Sequence, residues 1–176
     1  MRRYLANELQ NPIECAEFVS VLKNEGVRSY LEIGSRFGGT LWQVAQALPV
    51  GSRLVSVDID RQSDLDECAA DIRAMGHVVY LITGDSTHSM TVLEVNSLGP
   101  FDAILLDGNH TKEYITKDWA NYGSLGRIVA FHDIGKPKKS KPWREAVPEL
   151  WNALKEQHRH VEIIEPNGIG FGILWR

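Results

Sequence analysis

The chain reads as an α/β protein with a doubly wound, mainly parallel seven-stranded sheet that closes in an antiparallel hairpin. Three observations predict this. Short β-rich runs alternate with helical stripes along the chain, and parallel strands need such crossover helices. Phe101 to Leu106 is apolar almost throughout, the mark of a strand buried on both faces. Two closing runs, Val161 to Ile164 and Gly170 to Trp175, are separated by Pro166, Asn167 and Gly168, which suits a hairpin turn.

The elements follow in order. Asn11 and Pro12 open a helix, Cys15, Phe18, Val19 and Leu22 supply its stripe, and Gly26 stops it. The first strand spans Tyr30 to Ile33. Leu41, Val44, Ala45 and Leu48 form the next helical stripe, ended by Pro49 and Gly51. Leu54 to Val57 is the second strand; Leu65, Cys68, Ala69, Ile72 and Met75 stripe the helix after it. Val78 to Ile82 is the third strand, followed by a helix near Met90 to Val95. After the fourth strand, Tyr114, Ile115, Asp118, Trp119 and Tyr122 mark a helical face. Ile128 to Phe131 is the fifth strand, and Val147, Leu150, Trp151, Leu154 and His158 mark a long last helix.

The 176 residues suffice for a single domain (1–176), with residues 1–28 as a helical segment packed on it. A 43% hydrophobic and 24% charged composition is ordinary for a soluble fold, and the net charge of -4 gives no basic face for nucleic acid. There is no apolar run of membrane-spanning length and no secretory leader in MRRYLANELQ. Cys15 and Cys68 sit on apolar stripes and read as buried thiols in a reducing, cytoplasmic compartment.

In a doubly wound sheet, ligands bind beyond the carboxyl ends of the strands. Here every parallel strand is followed at once by polar residues: Glu32 with Gly34 and Ser35, Asp58 with Asp60, Gly84 to Ser86, Asp107 to His110, and His132 with Asp133. Like charges concentrated on one sheet edge point to a ligand or cation among them. In LEIGSRFGGT, Gly34 permits a tight turn while Gly38 and Gly39 let backbone approach a ligand at a helix start. The spacing is not the dinucleotide G-x-G-x-x-G, which disfavours an NAD-dependent oxidoreductase. Asp58, about 20 residues beyond that turn, can accept from both hydroxyls of a ribose, with Asp60 as the competing position. His110 is either a general base or the cap of the helix opening at Thr111.

The series LEIGSRFGG, LVSVDID, TGDS, FDAILLDGNHTKEYITKDW and IVAFHDI resembles the class I S-adenosylmethionine-dependent methyltransferases, which have a Rossmann-like fold. It is most similar to their small metal-dependent O-methyltransferases of the catechol and antibiotic-sugar types, over about Ser29 to Ile134. Arg36 stands where that family's glycine-rich turn has its middle glycine. The resemblance implies that Glu32, Gly34, Ser35 and Gly38 border the methionine part of S-adenosylmethionine, Asp58 holds the ribose, and Asp85 and Ser86 flank the adenine. It also implies a divalent cation, Mg or Mn, on Asp107, His132 and Asp133, lowering the pKa of a substrate hydroxyl. His132 departs from the usual acid at its position; a nitrogen ligand suits magnesium poorly, and His132 can instead act as base without metal. His110, Asp107 and His132 are the expected catalytic residues.

The expected activity is O-methylation of a small hydroxylated molecule, a sugar or diol. The alternative is a non-catalytic binding or assembly module that keeps the fold. Few residues precede the first strand, so substrate recognition is expected from a homodimer or from the lysine-rich loop Gly135 to Pro142 with Trp143, a lid that would attract an anionic substrate.

Overall fold

The computed structural model describes residues 2–6, 10–135, 145–166 and 168–176. The lysine-rich loop, Trp143 and Asn167 of the hairpin turn lie outside these residues. Seven strands form one sheet: β1 (Ser29–Ile33), β2 (Arg53–Asp58), β3 (Val78–Thr83), β4 (Phe101–Leu106), β5 (Gly126–His132), β6 (Arg159–Ile163) and β7 (Phe171–Trp175). Their order is β3-β2-β1-β4-β5-β7-β6. The first five are parallel, and β7 inserts antiparallel between β5 and β6. The doubly wound sheet with its reversed closing hairpin is therefore present as the alternation predicts.

Period-2 alternation along each strand divides the core in two. Tyr30, Leu54, Ala103, Leu105 and Ile128 face α2 (Pro12–Asn24), α3 (Gly39–Ala47) and α4 (Ser63–Ala74). Leu31, Val55, Ile104, Leu106 and Val129 face α5 (Ser89–Leu98), α6 (Lys112–Tyr122) and α7 (Ala146–Lys155). The first layer is locked by Phe18 of α2 stacked on Phe171 of β7, centroids 4.7 Å apart. The second centres on Phe131 against Trp151, at 5.9 Å. A buried aromatic of this kind is worth about 3–5 kcal/mol against truncation to alanine.

Local chemistry sets the ends of the elements. Asn11 caps α2 through its side-chain oxygen, which accepts from the backbone N–H of Ile13 and Glu14. Glu14 is fully buried, and its carboxylate accepts from Glu165 N at 2.8 Å and Gly170 N at 3.3 Å. One acid in the first turn of α2 thus closes the distant β6–β7 hairpin. A four-residue α1 (Arg3–Ala6) lies against α3 and α4, anchored by the buried Tyr4, whose ring meets Trp42 edge-on at 5.5 Å.

Cys15 and Cys68 are both buried and not disulfide-bonded. His77, expected at the surface or at a strand edge, is only 5% exposed beside the edge strand β3, and His158 lies beyond α7, which ends at Lys155, in the turn before β6. Among the described residues, no helix is long and apolar enough to cross a membrane.

The strand order reverses between β1 and β4, the switch point at which this architecture leaves a crevice. The β1 and β4 ends pinch together there, Asp107 N donating to Ile33 O at 2.9 Å, while Gly34 N donates to Val57 O of β2 at 2.8 Å. Gly34 has φ +92°, and a Cβ on it would sit 2.3 Å from the carbonyl oxygen of Asp107. Only glycine can pass this point.

Candidate active site

A cavity of about 610 Å³ opens over the carboxyl ends of β1 to β5, within the range of small-molecule and cofactor sites. Glu32, Gly34, Ser35, Asp58, Asp85, Ser86, Asp107, His110, His132 and Asp133 all line it. Gly38 does not line it. It has φ +87°, and its missing Cβ makes room for Cys68 of α4, whose Sγ donates to Gly38 O at 3.3 Å. The close approach expected here is thus to a neighbouring helix rather than to the cavity.

Of the two candidate aspartates, Asp58 lines the cavity and Asp60 does not. The Asp58 carboxylate is fixed by two backbone donors, Arg36 N at 2.6 Å and Asp60 N at 3.0 Å. Arg36 reaches it by adopting a left-handed φ of +48°, uncommon for a residue with a Cβ. Asp85 accepts from Thr87 N and Thr87 Oγ1, both at 2.8 Å, and from Tyr114 Oη at 3.2 Å. The Thr87 bonds, foremost the backbone one, hold its carboxyl below the usual range.

Glu32 lies at the floor, fully buried, accepting from Tyr30 Oη at 2.7 Å. Desolvation pushes its pKa up to about 8 against the donated bonds, so it is mostly neutral at pH 7. A raised folded-state pKa contributes stability below the ordinary carboxyl range and loses it as pH rises through about 8. Glu32→Gln removes this slope. Urea unfolding is expected to show the variant gaining on wild type between pH 5 and pH 9, by on the order of a few kcal/mol. A pH-independent difference would contradict the neutral-acid assignment.

At the other end of the cavity four side chains close a ring. The register pairs Leu106 of β4 with Phe131 of β5, so Asp107 and His132 emerge side by side. His132 Nδ1 is 3.2 Å from Asp107 Oδ1 and 3.0 Å from Asp133 Oδ1. His110 Nδ1 is 2.9 Å from Asp133 Oδ2, and its Nε2 is 3.3 Å from Asp107 Oδ1. Asp133 turns its carboxylate between the two rings from a left-handed φ of +63°. Two such non-glycine residues at one cavity, Arg36 and Asp133, place backbone strain at this site.

The charges answer one another. Burial opposes ionisation of all four groups, but the two carboxylates raise His110 to about 9 and His132 to about 10. The imidazolium charges in turn hold Asp107 and Asp133 below the usual carboxylate range. Two anions and two cations leave the ring neutral. His110 is not a helix cap: Thr111 N is met by Asn109 Oδ1 at 3.0 Å.

The expected ligands of a divalent cation, Asp107, His132 and Asp133, meet in this ring, where the Nδ1 of His132 lies at hydrogen-bond or ion-pair distance from both carboxylates. A nitrogen ligand suits magnesium poorly.

Several lining residues were not marked as site residues by the sequence, Gln10, Arg3 and Tyr114 among them. Gln10 Nε2 donates to Asp107 Oδ2 at 2.8 Å, while its Oε1 is buried without a hydrogen-bond partner. Arg3 and Tyr114 also line the wall. No spacing rule marks Gln10 or Arg3, because the fold-back of the amino-terminal segment is long-range. Tyr114 had a signal, its place in the first turn of the helix following Asp107.

Solved structures share this architecture. The O-methyltransferase TomG from Streptomyces achromogenes, solved in complex with SAM, superposes with a TM-score of 0.69 at 18% identity, covering 99% of this chain and 86% of that one. An O-methyltransferase from Bacillus cereus in complex with SAH gives 0.69 at 14% identity, covering 98% and 87%. The MycE methyltransferase of the mycinamycin biosynthetic pathway, in complex with Mg, SAH and mycinamycin VI, gives 0.61 at 14% identity, covering 91% and 48%. A comparison with curated protein sequences finds no match. Residues 31–134, from β1 through the ring at the end of β5, match the family model described as a methyltransferase domain. More than half of the chain lies in that match, and the chain belongs to the methyltransferase domain family.

Proposed function

We propose that the chain transfers a methyl group from S-adenosylmethionine to an oxygen of a small hydroxylated acceptor such as a sugar or diol, with His110 as the base. The observation that carries this reading is the pairing of two poles in one cavity: the fixed Asp58 carboxylate at the β2 end and the Asp–His ring at the β4 and β5 ends.

The cavity suits the cofactor. Asp58 has lone pairs left for two ribose hydroxyls, Asp85 and Ser86 flank a place for the adenine, and Gly34 and Ser35 leave backbone open beside the methionine part. When bound, the sulfonium supplies an electrophilic methyl group. The residues of the chain do the rest. Asp133 holds Nδ1–H of His110 and fixes its tautomer, leaving Nε2, which has no hydrogen-bond partner, to take the acceptor's proton. Asp107 and the amide of Gln10 orient the acceptor hydroxyl. His110 would take up the acceptor's proton as the methyl group is transferred, so that the positive charge the sulfonium brings would end on its imidazolium. His132, protonated between Asp107 and Asp133, balances their charge throughout. In-line placement supplies much of the acceleration.

His110 must lose its own proton before it can serve as base. kcat/KM is therefore expected to rise about tenfold per pH unit through neutrality and to level off near pH 9, where His110 titrates. The assay is label transfer from methyl-labelled S-adenosylmethionine to a panel of sugars and vicinal diols. A flat profile from pH 6 to 9 with a reactive acceptor would remove His110 from the base role. Chelation with EDTA is expected to leave the rate unchanged, because protonated His132 supplies the positive charge between the two carboxylates. Loss of activity restored by magnesium or manganese would replace the protonated ring with a metal-assisted reading, and Asp133 Oδ1, which faces His132, would be its first ligand.

A further inference from the structure

Two cations at the cavity take no part in the mechanism above. Arg3 of α1 and Arg36 of the turn after β1 both line the wall, and both guanidinium groups lie over the ring of Phe37, at 4.7 and 4.9 Å from its centroid. Among the described residues neither forms an ion pair, whereas Arg2, Arg61 and Arg127 each have a carboxylate partner. Their backbones are tethered all the same. Arg3 N donates to Asp64 Oδ1 at 3.1 Å, next to the buried Tyr4, and Arg36 N donates to Asp58. A guanidinium over an aromatic face keeps its in-plane donors free, and those donors match a carboxylate or phosphate edge.

The carboxylates of Asp58 and Asp85 line the same cavity but are held by other donors, Asp58 by two backbone N–H groups and Asp85 by Thr87 and Tyr114. The chain as a whole is acidic, at -4, so an anionic molecule needs a local cation to enter. The amino-terminal segment that supplies Arg3 also supplies Gln10, which touches Asp107 in the ring. That segment therefore flanks the reacting end of the cavity.

We infer that Arg3 and Arg36, presented on Phe37, bind an anionic group of the methyl acceptor, so that the acceptor class is a hydroxylated molecule bearing a phosphate or carboxylate. The inference rests on the methyl-transfer reading for the identity of the molecule that carries the anion. It does not rest on that reading for the clamp itself.

The probe is inorganic pyrophosphate, titrated by calorimetry into protein saturated with S-adenosylhomocysteine. Wild type is expected to bind it, and Arg3→Gln and Arg36→Asn each to weaken it about tenfold, as loss of a charge-assisted bond does. Asn is chosen at 36 because it tolerates the left-handed backbone there. Arg36→Lys is expected to recover only part of the affinity, since it keeps the charge and loses the fork. S-adenosylhomocysteine affinity is expected to stay within about twofold in Arg3→Gln, which leaves the turn that fixes Asp58 untouched. Absence of pyrophosphate binding by wild type would overturn the clamp. An equal fall in S-adenosylhomocysteine affinity in Arg3→Gln would assign the arginines to the cofactor's own carboxylate and overturn the acceptor assignment. If wild type fails to bind S-adenosylhomocysteine at all, the methyl-transfer reading fails, and titration of pyrophosphate into the free protein decides the clamp separately.

Discussion

Asp58→Ala is expected to weaken S-adenosylhomocysteine binding by about 2–4 kcal/mol, a loss of roughly 30- to 1000-fold. The size follows from the chemistry removed. A carboxylate accepting from two ribose hydroxyls makes two charge-assisted bonds, and its own orientation is prepaid by the backbone N–H groups of Arg36 and Asp60. Alanine also frees the Arg36 N–H, so part of the loss comes from a looser turn. Asp58→Asn separates the two contributions: it keeps an acceptor for the turn and loses the charge. Its affinity is expected to fall between those of wild type and Asp58→Ala. Calorimetry on the folded variants measures all three, and unchanged affinity in Asp58→Ala would end the ribose assignment.

His110→Gln is expected to lower kcat by about 10²- to 10⁴-fold, the usual worth of a positioned general base. Affinity for S-adenosylhomocysteine should remain, because His110 stands with Asp107 and Asp133 at the opposite end from Asp58. Gln preserves a donor toward the carboxylates, which matters here. Removing the imidazolium altogether would leave a buried carboxylate short of a partner, a change that costs about 3–5 kcal/mol in folded proteins. Circular dichroism and thermal unfolding alongside the kinetics distinguish lost chemistry from lost structure. Equal losses of turnover and cofactor affinity would show that the two poles are not separate.

The fold was legible because its signals are local and periodic. Phe101 to Leu106 could only be a doubly buried strand, and it is the fourth, flanked by β1 and β5. The polar residues after each strand could be placed at one edge because parallel strands all end on the same side. That argument found Asp58, Asp85, Asp107, His110, His132 and Asp133, and the cavity contains them. What was not legible depends on contacts across long stretches of chain. Gln10 meets Asp107 from 97 positions away, and Glu14 meets Gly170 from 156. Gly38 illustrates a subtler case. A close approach to its bare backbone was foreseen, but whether that backbone faces a ligand or the Cys68 thiol depends on where α4 docks. The same holds for His132. The sequence shows a histidine beside an aspartate; only the β4–β5 register brings Asp107 within 3.2 Å and lets protons balance the charge expected from a cation.

The central claim is that this cavity binds the methyl-transfer cofactor. Its most direct test is calorimetric titration of the purified protein with S-adenosylhomocysteine, run with EDTA and again with magnesium or manganese. The account predicts one site with a Kd in the micromolar range under all conditions. No binding under any of them would contradict it, and would leave the chain as a member of the methyltransferase domain family that keeps the fold as a non-catalytic module.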